Sequence, residues 1–270
     1  MSHLLIVNSD GEIVREVDTD KEKLSIRSHA QDQAFYELKK RQKEGRSRGF
    51  TFTQMGNVHE VILKLTTAQC GLLLVLITYI DFDGVLRNPD KTPMSKKDIR
   101  AALKLEGKRS FYDFMKVTLE AGILIEDGKR YIVNSRYHFK GNSRNKELVR
   151  VLSAKVRELH KQNKITDIGM FYKIQAYVHI KRNVLVKNPN ETNLDKLEYL
   201  NKEELADVLD VSVEQVSKVL NRLKLDGQHC VAQLKIGREV NFVVNPDIFS
   251  RTASVKDETL RTLFRKGGKQ

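Results

Sequence analysis

The spacing of apolar residues changes along this chain between a period of two and a period near 3.6, and the changes mark the elements. Leu4-Leu5-Ile6-Val7 and Ile13-Val14-Arg15-Glu16-Val17 flank Asn8-Ser9-Asp10-Gly11. Two apolar runs about an Asp-Gly turn predict a β-hairpin. Residues 18–34 are polar and lack a period. Phe50-Thr51-Phe52-Thr53 alternates and predicts a short strand. Thr66-Thr67 then stands before Ala68-Gln69 as an N-cap, and Leu72, Leu73, Leu76, Ile77 and Ile80 recur at helical spacing. This predicts a buried helix reaching about Ile80. Residues 81–93 hold Gly84, Asn88-Pro89 and Pro93 and read as loop.

Ser95 is a good N-cap for a short helix carrying Ile99, Ala102 and Leu103. A turn at 104–108 follows, then a second helix from about Ser110 with Tyr112, Met115 and Leu119 on one face. Ile123-Leu124-Ile125 and Arg130-Tyr131-Ile132-Val133 flank Glu126-Asp127-Gly128-Lys129 and predict a hairpin. Residues 143–166 read as a connecting helix capped by Ser143, with Leu148, Leu152, Val156 and Leu159 at near-heptad spacing. Such a seam either joins two units or faces a second chain. Beyond it come an apolar helix with Met170, Phe171, Ile174, Tyr177 and Val178, a loop with Asn188-Pro189, and a helix capped by Asn201. Asp210-Val211 forms a turn, Ser212 caps a second helix over 213–223, and a hairpin closes the set near Val244.

The same order of parts therefore occurs twice. One copy ends Tyr131-Ile132-Val133-Asn134-Ser135-Arg136 and the other Phe242-Val243-Val244-Asn245-Pro246-Asp247. Internal repeats decide an architecture before single elements do. The expected fold is mainly α with small β-hairpin wings (α+β), two tandem winged helix-turn-helix domains joined by a helix. The boundaries are 1–60 for the N-terminal hairpin and basic arm, 61–142 for the first unit, 143–166 for the connecting helix, 167–252 for the second unit and 253–270 for a polar basic tail.

The strongest motif lies at 205–223. Leu205, Ala206 and Leu209 face inward on one helix, and Val213, Val216, Leu220 and Leu223 on the next. In a helix-turn-helix the second helix enters the major groove. Its polar face here carries Gln215, Lys218, Asn221 and Arg222. Asn and Gln suit adenine, and Arg and Lys suit guanine. Ser212 at the helix start suits a phosphate, and Lys235 and Arg238 stand near the wing tip. The first copy offers Lys108, Arg109, Ser110 and Lys116, with Lys129 and Arg130 at its tip; Asp113 and Glu120 there repel phosphate. That copy either touches DNA or dimerises. The plainer reading of both motifs is a helical pair with a solvated polar face.

Charge favours the sharper reading. Lys and Arg number 48 against 35 Asp and Glu, a net charge of +13. Such a surplus suits nucleic acid or an anionic surface. Residues 39–48 concentrate six cations against Glu44 and form either a solvated arm or a phosphate contact. The most apolar run, 70–80, is about half the length of a membrane span. No membrane role is expected, no signal peptide is visible, and a cytoplasmic location fits. Cys70 and Cys230 sit in apolar patterns without metal spacing and read as small buried hydrophobes. Enzyme signals are weak. Gly107-Lys108 lacks both the upstream Gly and the following Ser or Thr of a phosphate loop. His179 lacks a second His, and Asp81, Asp83 and Asp90 read as loop caps. Neither an enzyme nor a cofactor is expected.

The residues Tyr177-Val178-His179, Asn183-Val184-Leu185, Lys187-Asn188-Pro189-Asn190, the helix-turn-helix and Val243-Val244-Asn245-Pro246 resemble the paired winged-helix replication initiators of bacterial plasmids and phages. They are also similar to helix-turn-helix regulators of Gram-positive phages. Residues 66–141 add a weaker likeness. The resemblance implies double-stranded DNA binding, with two heads reading successive grooves of an origin repeat, and host replication or transcription machinery or a homodimer as protein partners. A promoter-bound regulator and a protein-binding adaptor are the alternatives.

Overall fold

A computed structural model describes residues 49–143, 145, 147–236 and 239–251, the strand backbones and turn residues at 3–7 and 11–18, and the single residues 33, 36 and 264. The basic arm at 39–48 and Arg238 lie outside the described residues, as does the tail beyond 251 apart from Phe264. Residues 1–47 and 48–270 form two compact units. In the first, β1 (His3–Val7) pairs antiparallel with β2 (Ile13–Asp18), Leu4 opposite Val17. Gly11 takes φ +83° between them, a left-handed turn conformation that costs glycine nothing.

The second unit opens with β3 (Phe50–Gln54), which runs straight into α1 (Met55–Lys64). Thr66 and Gln69 form a capping box that starts α2 (Thr67–Leu76), extended by a 3₁₀ turn at Ile77–Tyr79. Ser95 and Asp98 cap α3 (Lys96–Ala102) in the same way, and α4 (Lys108–Glu120) follows. A hairpin of β4 (Leu124–Asp127) and β5 (Arg130–Val133) and a short β6 (His138–Phe139) complete the copy. The order then begins again. β7 (Leu148–Leu152) leads into α5 (Ser153–Gln162), α6 (Ile165–Lys173) and a 3₁₀ turn at Ile174–Tyr177. α7 (Lys202–Leu209) and α8 (Val213–Arg222) follow. A short ladder of β8 (Lys224–Leu225) and β9 (Gln228–His229) precedes the hairpin of β10 (Val231–Ile236) and β11 (Glu239–Val244), and β12 (Phe249–Ser250) ends the copy. The fold is mixed α+β, with eight α-helices and small antiparallel sheets among the described residues. None of these helices is long and apolar enough to cross a membrane.

The copies meet through their matching parts. The four-stranded sheet has the order β12-β7-β3-β6, with the two opening strands antiparallel at its centre and Phe52 opposite Arg150. The helices α2 and α6 cross at Gly71 and Gly169. A Cβ on Gly71 would lie 2.2 Å from the Ile165 carbonyl oxygen, and one on Gly169 would lie 1.7 Å from that of Thr67. Equivalent strands and equivalent helices thus touch one another, which relates the copies by an approximate two-fold axis. One apolar core runs through both, joining Leu73, Leu76 and Phe114 to Val156, Phe171, Phe242 and Phe249. Phe171 and Phe249 stack at 4.2 Å between ring centroids.

Three sequence expectations change here. Residues 143–166 are not one connecting helix but the strand β7, the helix α5 and the start of α6. Leu148, Val149 and Val151 are buried in the sheet, while Val156 and Leu159 are buried on the helix, so the near-heptad seam is split between two elements and covered by the core. Ser143 caps no helix; its hydroxyl accepts the Asn145 N–H at 3.1 Å. The tail carries a buried residue, since Phe264 packs against Val184, Val186 and Val243.

Candidate nucleic-acid interface

In the second copy, an Asn201–Glu204 capping box starts α7. Leu205, Ala206 and Leu209 point inward from it. Asp210 takes a left-handed φ of +57° and ends the helix, the Val211 N–H returning to the Ala206 carbonyl at 3.1 Å. Ser212 then accepts the Gln215 N–H and starts α8. Val216, Val219, Leu220 and Leu223 are buried, while Val213, expected inward, is exposed in the first turn; Ser212, Gln215, Lys218 and Asn221 lie on the open face. Lys218 lies 2.7 Å from Glu214, one turn earlier. Lys235 is exposed on β10.

Arg222 differs from its expected role. Its Nε and Nη2 each donate to the Asp167 carboxylate at 2.6 Å. Asp167 is 1% exposed, and its hydrogen bonds hold the Arg222 pKa above the ordinary guanidinium value. A fork engaged in this way ties α8 to α6 and is not presented as a free base-reading group. Lys173, also buried on α6, donates from Nζ to the Leu209 carbonyl at 3.0 Å and closes the end of α7. The helix pair is therefore seated on α6 by one acid and one base. Nothing in the local pattern marks either, because each partner lies far along the chain.

The helix pair of the first copy has the same buried stripe but not the same seat: Val117 stands where α8 has Arg222, and Gln69 and Val75 where α6 has Asp167 and Lys173. Phe111, Phe114, Met115 and Thr118 form the buried face of α4, matching Val216, Val219, Leu220 and Leu223 turn for turn. Lys108, Arg109, Ser110 and Lys116 are exposed. Tyr112, expected to face inward, is 59% exposed, because α4 starts at Lys108 and its phenylalanines carry the buried stripe. The turn between α3 and α4 is two residues longer than that between α7 and α8, as the sequence suggests. Acids sit beside the cations: Arg109 lies 3.9 Å from Asp113 and Lys116 3.9 Å from Glu120. At the hairpin tip Lys129 is exposed and Arg130 pairs with Asp127. Lys96 at the start of α3 reaches Tyr131 and, at 3.6 Å, Glu126; these contacts raise its pKa and fasten the hairpin to the helix pair.

Several other polar residues serve the loops. His179 is buried, its Nε2 at 2.7 Å from the Glu191 carbonyl and its Nδ1 accepting the Arg182 N–H at 3.2 Å. Asp81 accepts the N–H groups of Asp83 and Val85 and pairs with Arg87. Cys70 and Cys230 are buried free thiols, and burial pushes Cys70 up to about 12. What the two helix pairs offer chemically is a set of exposed amides, hydroxyls and cations on rigid supports. No family model, curated protein or solved structure matches the chain.

Proposed function

We propose that this chain is a sequence-specific double-stranded DNA-binding protein of plasmid or phage type, a replication initiator whose two winged helix-turn-helix heads engage one origin repeat. The observation that carries this reading is the recurrence, within one compact unit, of a helix pair and hairpin whose second helix leaves its polar face open. The major groove admits such a helix. Gln215 and Asn221 read adenine, and Lys218 contacts guanine or phosphate after leaving Glu214, since an exposed ion pair is worth little. Ser212 and Lys235 contact the backbone. In the first head Lys108, Arg109, Ser110, Lys116 and Tyr112 form the reading face, with Lys129 and Arg130 on the backbone.

The antiparallel pairing of β3 with β7 supports a reading in which the two heads face inverted half-sites. The two open faces carry no shared residue type at matching positions, from Lys108 against Val213 to Lys116 against Asn221. The half-sites are accordingly unlike, and one chain suffices for both. This favours an asymmetric repeat over the palindrome of a symmetric dimer. Initiation then consists of marking the origin and recruiting host machinery.

Footprinting the purified chain on DNA flanking its own gene, at near-physiological salt, tests this. Several protected repeats with unlike halves are expected. One protected palindrome across a promoter would make the protein a transcription regulator. Salt-sensitive affinity common to all duplexes would remove sequence-specific recognition altogether.

A further inference from the structure

A cleft of about 230 Å³ opens between α5 and the turn after α3. Lys104, Arg157, His160 and Lys161 line it, with Glu158 as its one acid and Tyr79 at its side. Two of the cations, Arg157 and Lys161, are held in place by side-chain contacts. Arg157 donates from Nη1 to the Thr78 carbonyl at 3.0 Å, and its guanidinium lies 5.4 Å from the Tyr79 ring centroid. Lys161 sits 2.9 Å from Glu158. Lys104 takes a φ of +51°, an uncommon conformation for a non-glycine residue, with its N–H on the Ala101 carbonyl at 3.0 Å. Burial, and then the charge of Lys104, hold the His160 pKa below its ordinary value.

The other copy supplies an internal control. On α1 the places of Arg157, Glu158, His160 and Lys161 are taken by His59, Glu60, Ile62 and Leu63, and the place of Tyr79 by Tyr177. His59 packs edge-on against Tyr177 at 5.6 Å, and Leu63 stands 87% exposed. The same framework forms there with two aliphatic residues where α5 has an imidazole and an ammonium. The equivalent positions of α1 therefore do without the imidazole and the ammonium that α5 sets beside Lys104.

We propose that this cleft binds a phosphate group, carried by a small phosphoester or by a nucleic-acid backbone. The Arg157 fork suits a phosphate bidentately, and Lys104 and Lys161 add point charges. Lys161 exchanges its Glu158 contact for the ligand. The volume is below the roughly 300–1,000 Å³ of drug-sized ligand pockets, so it takes a phosphate head and not a whole nucleotide. An occupant bridges α5 of the second copy to the turn that leads into α4 of the first.

The first arm of the test needs no DNA. The full chain is titrated with inorganic phosphate and with phenyl phosphate at constant ionic strength, following the His160 imidazole by NMR. Saturable binding is expected, weakened about tenfold by Arg157→Gln and by Lys104→Gln and unchanged by Lys97→Gln. A shift that never saturates, or an equal loss in Lys97→Gln, overturns the proposal. Lys104 is exposed, so its variant keeps the test open if Arg157→Gln fails to fold. Repeating the titration with bound duplex separates the sources. Retained phosphate binding identifies a small ester, and displacement by duplex identifies the DNA backbone.

Discussion

Arg222 stands at the end of α8, where an arginine suits guanine, and forks onto the buried Asp167. Removing the arginine leaves a carboxylate without its counter-charge in the core. Because the guanidinium side chain is 48% exposed, the cost falls below the 3–5 kcal/mol of a wholly buried pair. Arg222→Ala is expected to lower stability by about 2 kcal/mol in urea denaturation and to weaken specific and random duplexes alike. Unchanged stability with relaxed preference at one base would restore its reading role. His138 makes a second residue-scale prediction. It is buried between Thr53 and Tyr172, its ring nitrogens 3.1 and 3.0 Å from their hydroxyls. Burial depresses its pKa from 6.5 to about 3. The unfolded chain therefore takes up a proton that the folded chain refuses. The contribution is whole above about pH 6.5 and is lost as pH falls toward 3, by about 1.4 kcal/mol per pH unit. Thermal melts from pH 6.5 to 5 should show a flatter decline for His138→Gln than for the parent chain. Equal slopes would assign the decline to other groups.

Among the elements, the crossing of α2 and α6 has the least room. An alanine at 169 would place its Cβ 1.7 Å from the Thr67 carbonyl oxygen, on backbone that cannot rotate away. Gly169→Ala is expected to cost about 3 kcal/mol or more in equilibrium denaturation. Gly56→Ala on α1 meets nothing within 4 Å and should be neutral or stabilising by up to about 1 kcal/mol. Equal effects of the two would refute close packing at the crossing. The elements also differ in how plainly the chain announces them. α2, α3 and α7 carry capping boxes, so their starts are legible within four residues. α1 and α5 have no side-chain cap, because each continues directly from a strand. With no turn between, the change of period passes unmarked. Residues 55–64 are thus left without an expected helix, and β7 and α5 read as one.

At the scale of the whole molecule, the approximate two-fold axis makes a prediction that neither copy makes alone. If the heads read opposite halves of one site, Asn221→Ala should relax base preference in one half and Arg109→Ala in the other. Each should cost about 1–3 kcal/mol, measured by competition among single-base variants of the site. Both effects falling in the same half would break the two-headed proposal. The sequence by itself determined the repeat, the helix pairs, the turns between them and both hairpins. These depend on caps, glycines and periodicity within a few residues. The open positions on α8 also follow from its strong amphipathic pattern. Only the tertiary structure decided that the copies share one core through β3, β7, Gly71 and Gly169. It alone set Arg222 on the buried Asp167, Tyr112 outward and Phe264 onto a buried surface. The physical reason is the same in each case: the deciding partner lies far along the chain, and burial is settled by what packs there, not by neighbours in sequence.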